Sequence, residues 1–280
     1  MKMSGKYLVS PVMIWLSMFF ILPIMIVVAI SFMGRTPYGQ LIFEFTLENY
    51  QRFFEPLYLN ILIYTFVMAI IVTFMSFILG YPLAYTISKL SKKWQRIGLM
   101  LVMIPFWINF LIRSYAWVII LRSQGVVNSL LMSFGIIDQP LALLYNDGAV
   151  FLGLVYAMLP FMVLPVYVSI EQLDQRLLEA ASDLGATPLK AFFKVTLPLT
   201  APGVAAGSIL VFISTLGMFV VPDIMGGAKS SLIGNLIQNQ FLGARNWPFG
   251  ASLSILLAFL SMLLIYLYYK ALGIKKEVRQ

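Results

Sequence analysis

The sequence predicts an all-α integral membrane protein, a bundle of six transmembrane helices with both termini on the cytoplasmic side. Three observations predict it. Only 11% of the 280 residues are charged and 61% are apolar, with a mean hydropathy of +0.92, whereas a soluble domain carries about a quarter charged residues to face water. Six stretches run apolar without interruption for the roughly 20 residues that a helix needs to cross hydrocarbon. Finally, Lys and Arg are concentrated in alternate loops, the asymmetry that orients membrane proteins.

The first run, 8–33, follows Lys2 and Lys6 and ends near Ala29-Ile30-Ser31, a small-x-small pattern that a signal peptide would also show. The run is too long for a typical signal peptide, so it is expected to stay as the first span. The others are 60–88, 97–121, 148–170, 202–222 and 250–269, and together the six hold a single charged side chain, Arg113. Their continuity excludes a membrane barrel, whose strands alternate apolar and polar residues. Pro23, Pro82, Pro105, Pro160 and Pro165 lie inside spans, where neighbouring helices tolerate such breaks. Segments 1–7, 89–96, 171–201 and 270–280 hold 13 of the 19 Lys and Arg in 57 residues, while loops 34–59, 122–147 and 223–249 hold 5 in 79 residues. The basic segments are therefore expected inside, and the net charge of +8 reports topology rather than a nucleic-acid surface.

Composition also limits the chemistry. With no Cys and no His, disulfides, thiolate metal sites and the commonest catalytic base are missing. There is no Gly-x-x-x-x-Gly-Lys-Ser/Thr run to cradle a nucleotide and no Gly-x-Ser-x-Gly elbow. Carboxylate pairs inside the spans, which would mark a proton-coupled carrier, are absent as well. A transporter of this composition must draw its energy from elsewhere. A secondary carrier or a membrane enzyme would need ion-coupling groups or a nucleophile–base set, and the chain offers neither.

Loop 171–201 is the longest on the basic side and the only one there with a patterned interior. Leu173, Leu177, Ala180, Ala181 and Leu184 recur at helical spacing, predicting a short amphipathic helix. Gly185 falls where a helix C-cap belongs. Thr187-Pro188 reads as an N-cap and first position of a second short helix over 188–195, which Leu197-Pro198 should end before the fifth span. Two short helices at a corner on the membrane surface suit a docking device.

The pattern Glu179-Ala180-Ala181, three residues, Gly185, nine residues, Val195-Thr196-Leu197-Pro198 resembles the EAA motif of permease subunits from ATP-binding-cassette importers. The resemblance implies the six-helix bundle of type I ABC importers. It also implies that this loop, with Glu179, Ala180, Ala181, Asp183, Gly185, Leu197 and Pro198, couples the chain to an ATPase. On that implication no cofactor is bound here, because ATP and Mg belong to the partner. The other implied partners are a second homologous permease subunit, two ATPase copies and an external, periplasmic substrate-binding protein at the bacterial inner membrane.

A second resemblance concerns the subfamily. The run from Pro105-Phe106-Trp107-Ile108-Asn109 to Arg113-Ser114-Tyr115-Ala116-Trp117 is similar to spermidine/putrescine importer permeases. So are Asp223 to Lys229, Leu232 to Asn235, Asn246 to Ala251, Asn49-Tyr50, and Pro56 with Tyr58. The likeness covers nearly the whole chain and is greatest to the first of the two permease subunits of those importers. It implies a polyamine substrate, with opines, aminophosphonates or iron as the alternatives that share the broad pattern.

Helical spacing marks candidate pathway faces. On the third span Phe106, Asn109, Arg113 and Trp117 share a face, flanked by Trp107 and Tyr115. Tyr156, Pro160, Val163 and Tyr167 align on the fourth, and Ser208, Phe212, Thr215, Phe219 and Asp223 on the fifth. Polycations are held by carboxylates and by aromatic faces through cation–π attraction. The chain offers the aromatics, but on this reading Asp223 is its one acid near the membrane. Arg113 would repel a cation and is expected to pair with a carboxylate or with carbonyls.

Overall fold

The first apolar run forms helix α1 (Gly5–Leu16), a π-helical turn (Ser17–Ile21) and α2 (Leu22–Ser31) in unbroken succession. This is a computed structural model, and it describes residues 5–36, 38–227 and 230–271. Lys2, Ala228, Lys229 and the basic tail after Ala271 lie outside the described residues. Two units are each compact: Met1–Asn60 with Leu236–Gln280, and Ile61–Asn235.

In the first unit a hairpin of β1 (Met33–Arg35) and β2 (Leu41–Phe45) interrupts the helices. The wholly α expectation misses it because so short a ribbon has no hydrophobic period to read. Its turn depends on Gly39 at φ 86° and on Thr36, whose Oγ1 accepts from Gln40 N at 3.0 Å. Helix α3 (Glu48–Phe53) follows. Asn49 donates to the Ser31 and Met33 carbonyls and Tyr50 Oη meets Ser31 Oγ at 2.7 Å, tying α3 to the end of α2.

Helix α4 (Pro56–Lys89) is the longest, at 34 residues. The predicted third span, 97–121, is not one helix. It splits into α5 (Lys92–Trp107) and α6 (Phe110–Leu121), with Ile108 and Asn109 extended between them. Asn109 causes the break: its side chain accepts from Leu111 N at 2.9 Å, a cap that competes with continuing the helix. After α7 (Val126–Ser133) comes α8 (Asp147–Glu171), whose Leu154, Met158, Met162, Val163 and Val166 are among the most buried side chains. This helix is the centre of the second unit.

Helices α9 (Gln175–Asp183) and α10 (Pro188–Ala191) make the predicted corner. Contrary to expectation, Leu197-Pro198 does not end the second helix. The chain continues from α10 through a π turn (Phe192–Thr196) into α11 (Leu197–Leu199), and the bend comes at Thr200, 63° from α12 (Ala201–Leu216). A proline crowds the carbonyl four residues back, and the wider π turn displaces it. Leu197 N instead bonds Phe192 O five residues back, as Leu22 N bonds Ser17 O before Pro23. Both π turns precede a Leu-Pro pair.

The expected fifth span, 202–222, likewise stops early. Helix α12 ends at Leu216 with Gly217 as its C-cap, and α13 (Val220–Met225) starts afresh. Helices α14 (Ile233–Leu242) and α15 (Trp247–Ala271) complete the chain. In the first unit, Tyr58 stands edge-on to buried Phe249 at 4.9 Å, and the Arg52 guanidinium covers both rings.

Among the described residues, five helical stretches are long and apolar enough to cross a membrane: Ser10–Ser31, Pro56–Lys89, Phe110–Ser133, Asp147–Glu171 and Trp247–Tyr268. The bent pair around Thr200 can supply a sixth. Every residue from Ser10 to Ile26 is exposed, a surface that only lipid or another apolar partner can cover without large cost.

Candidate functional site

The corner at 171–201 is built from caps. Asp174 accepts from Arg176 N at 3.0 Å to start α9. At the other end Gly185 N bonds Ser182 O at 2.9 Å and Ala186 N bonds Ala181 O at 3.0 Å, the paired bonds of a Schellman cap. Gly185 sits at φ 77°, with nothing within 4 Å of where a Cβ would stand. The glycine is therefore needed for its backbone conformation; close approach to a partner would be a second reason. Thr187 then caps α10 by accepting from Lys190 N at 3.4 Å, with Pro188 in the first position.

No residue of α9 is buried. Glu179, Ala180, Asp183, Gly185 and Pro198 are exposed, with Ala181 and Leu197 half-buried. The apolar side chains of the corner also face outward, Leu184 at 89% exposure and Leu189 at 72%, with Phe193 beside them. An apolar surface left uncovered in this way is available to lipid or to a partner.

The candidate pathway residues fall into two groups. In the first, Arg113 Nη1 donates to the Pro105 carbonyl at 3.0 Å. That carbonyl is freed because α5 stops at Trp107, and a cation at a helix C-terminus is also favoured by the helix dipole. The guanidinium lies over Phe110 at 4.5 Å and near Tyr156 at 5.7 Å, and Tyr156 meets the Trp117 ring edge-on at 5.5 Å. Trp107 and Tyr115 project outward at 73% and 57% exposure, apart from this cluster. Asn109, placed with the pathway by its spacing, serves as the cap of α6.

The second group lies on α12 to α14. The break at Gly217 divides the stripe that helical spacing joined. Thr215 is fully buried and returns its hydroxyl to Val211 O at 2.7 Å. Phe212 packs on Phe66, ring centres 5.9 Å apart. Phe219 and exposed Asp223 stand beyond the break, both gathered by Asn235, whose Nδ2 donates to Phe219 O at 3.0 Å and Asp223 Oδ1 at 3.5 Å. On α8, Pro160 and Val163 are buried in the core, so the face running from Tyr156 to Tyr167 packs on neighbours for much of its length.

The structure adds a second acid. Asp147 begins α8 and accepts from Ser230 Oγ. Sequence reasoning left it in a loop, although Asn146-Asp147 ahead of an apolar run is a helix-start signal; Asn146 does cap α8 through Ala149 N at 2.9 Å. Near Asp147, Tyr145 takes a positive φ of 62° and its N–H donates to Met225 O. Among the described residues no group of three or more Asp or Glu could hold a metal ion.

Residues 76–274 match the family described as the binding-protein-dependent transport system inner membrane component. The chain belongs to this family. It is thus a multi-pass permease component of the inner membrane, not an enzyme. It is 45% identical over 266 residues to the spermidine/putrescine transport system permease protein PotB of Haemophilus influenzae, covering 95% of this chain and 93% of that one. It is also 45% identical to PotB of Escherichia coli, with 92% and 94% covered. The inner membrane ABC transporter permease protein YdcU of E. coli is 35% identical over 80% of this chain and 74% of its own. Among solved structures, a bacterial ABC transporter that imports the acidic polysaccharide alginate superposes with a TM-score of 0.76 at 19% identity, covering 97% of both chains. That likeness concerns the fold. The family match includes loop 171–201 and both pathway groups, whereas the hairpin and α3 precede it.

Proposed function

We propose that this permease forms half of the translocation pathway of an ATP-driven importer for polyamines, spermidine or putrescine, delivered by an external binding protein. The observation that carries the substrate is the 45% identity to two spermidine/putrescine permeases over more than nine-tenths of the chain. The uncovered corner at 171–201 supports a coupling role: Glu179, Ala180, Ala181, Asp183, Gly185, Leu197 and Pro198 present the docking face to an ATPase subunit that holds ATP and Mg. A second permease supplies the other half of the pore. Both termini are cytoplasmic, as the basic loops require.

For the solute, Asp147 starts α8 and Asp223 stands in short α13, while Trp117, Tyr156, Phe212 and Phe219 supply aromatic surface. Two acids suit a polycation better than one, and Asp147, held by Ser230, is the second acid of this reading. Arg113 is engaged with a carbonyl and takes a supporting role. The test is ATP hydrolysis by the reconstituted complex with its binding protein. Stimulation by spermidine or putrescine is expected. Stimulation by an opine, an aminophosphonate or iron, without response to polyamines, would replace the substrate while keeping the importer.

A further inference from the structure

A corner that docks must also move the pathway, and it continues into the apolar helices on two sides, directly from α8 and through the bend at Thr200 into α12. Two features at that bend allow flexing: the π turn Phe192–Thr196 and the 63° angle between the stretch Pro188–Leu199 and α12. A joint of this kind would absorb a push unless something braced it. The bracing comes from a helix more than 100 residues away in sequence.

Tyr81 of α4 is 3% exposed and places its hydroxyl 2.8 Å from Thr200 Oγ1, itself fully buried. Thr200 already donates to Thr196 O at 2.8 Å, so its oxygen accepts and Tyr81 donates. The Tyr81 ring also stands edge-on to Phe192 of the π turn at 5.5 Å, and Tyr85, one turn along α4, does the same at 5.6 Å. One helix therefore grips both compliant points of the arm. Its footing is firm. Next to Tyr81, a Cβ on Gly80 would lie 3.0 Å from Met162 Cγ, and one on Gly207 of α12 would lie 2.9 Å from Met162 Sδ. Helices α4, α8 and α12 thus meet at Met162 with glycine on both sides, the close crossing that small residues permit in membranes.

We propose that Tyr81 is a positioning residue for transport: its hydroxyl locks the bend at Thr200, so that displacement of the corner moves α4 with α12 instead of flexing the arm. The proposal rests on the reading of 171–201 as the ATPase dock. Without the lock, ATP hydrolysis continues but less of it becomes translocation.

The experiment uses the complete reconstituted complex with binding protein and measures ATP hydrolysed per solute imported. Tyr81→Phe keeps the ring contact with Phe192 and removes the hydroxyl. Its expected result is an assembled complex that spends roughly fivefold more ATP per solute, the worth of about one buried hydrogen bond. Thr200→Val should do the same, and the double variant should be no worse than either single one. An unchanged ratio in both single variants, a double effect equal to the product of the two, or loss of assembly in Tyr81→Phe would each overturn the proposal. The chain has no Cys, so Ser182→Cys gives one reporter position for crosslinking to the ATPase. Crosslinking retained with an unchanged ratio refutes the lock alone; no crosslink in the otherwise native chain refutes the dock, and the lock with it.

Discussion

Arg113 shows how one charged side chain is accommodated among apolar helices. An unpaired Arg in hydrocarbon costs on the order of 3 kcal/mol or more. Here one Nη1–H meets a helix-terminal carbonyl and the guanidinium plane covers an aromatic ring. Lysine keeps the charge but loses the planar fork and its stacking. Arg113→Lys should therefore destabilise the purified chain by about 1–3 kcal/mol, read as a lowered melting temperature in detergent. Native stability in Arg113→Met would show that neither contact matters. Asp223 poses a different question because Asn235 already holds it. Asp223→Asn preserves shape and hydrogen bonding while removing charge, so weakened polyamine uptake with assembly and basal ATP hydrolysis intact is expected. Full uptake would assign charge recognition elsewhere, with Asp147 the next acid to change.

Among the elements, the cap of α9 makes the sharpest prediction. The space around Gly185 is open, so a side chain there meets no clash within this chain and suffers only from the positive φ. Asparagine tolerates that region, alanine less well, and β-branched valine least. Uptake should fall in the order Gly, Asn, Ala, Val while the protein remains inserted, and the loss for Ala should correspond to about 1 kcal/mol. If Asn fails as badly as Val, the glycine is required for close approach to the ATPase instead. The broken third and fifth spans have a common logic. Each ends at a residue that satisfies or relaxes backbone locally, Asn109 by capping and Gly217 by freedom, and each gathers polar groups at the break. Lone backbone groups in hydrocarbon are tolerated only where protein covers them.

At the scale of the molecule, topology is the central prediction. A reporter fused after Gln280 should lie in the cytoplasm, and one inserted within 122–147 should lie outside. Finding both on one side would overturn the six-span arrangement and the 13-to-5 charge asymmetry as its explanation. The proposed arrangement would put the corner at 171–201 on the cytoplasmic side and Asp147 on the outer side.

The membrane class and the capped corner were legible in the sequence because each depends on local physics. Hydropathy needs only composition, and a Schellman glycine or a Thr-Pro start needs only a few neighbours. Spacing alone, however, joined Ser208 to Asp223 as one stripe and Phe106 to Trp117 as another. Period counting assumes an unbroken helix, and nothing in it registers that Asn109 prefers to cap or that Gly217 releases the chain. Asp147 was passed over because a loop boundary drawn by hydropathy ignores the cap at Asn146. The pairing of Tyr81 with Thr200, the seat of Met162 between Gly80 and Gly207, and the carbonyl that Arg113 finds were decided by tertiary structure alone. The first two join residues on helices distant in sequence, and the third needs the chain to break between Pro105 and Arg113, so no local preference of either partner encodes the other.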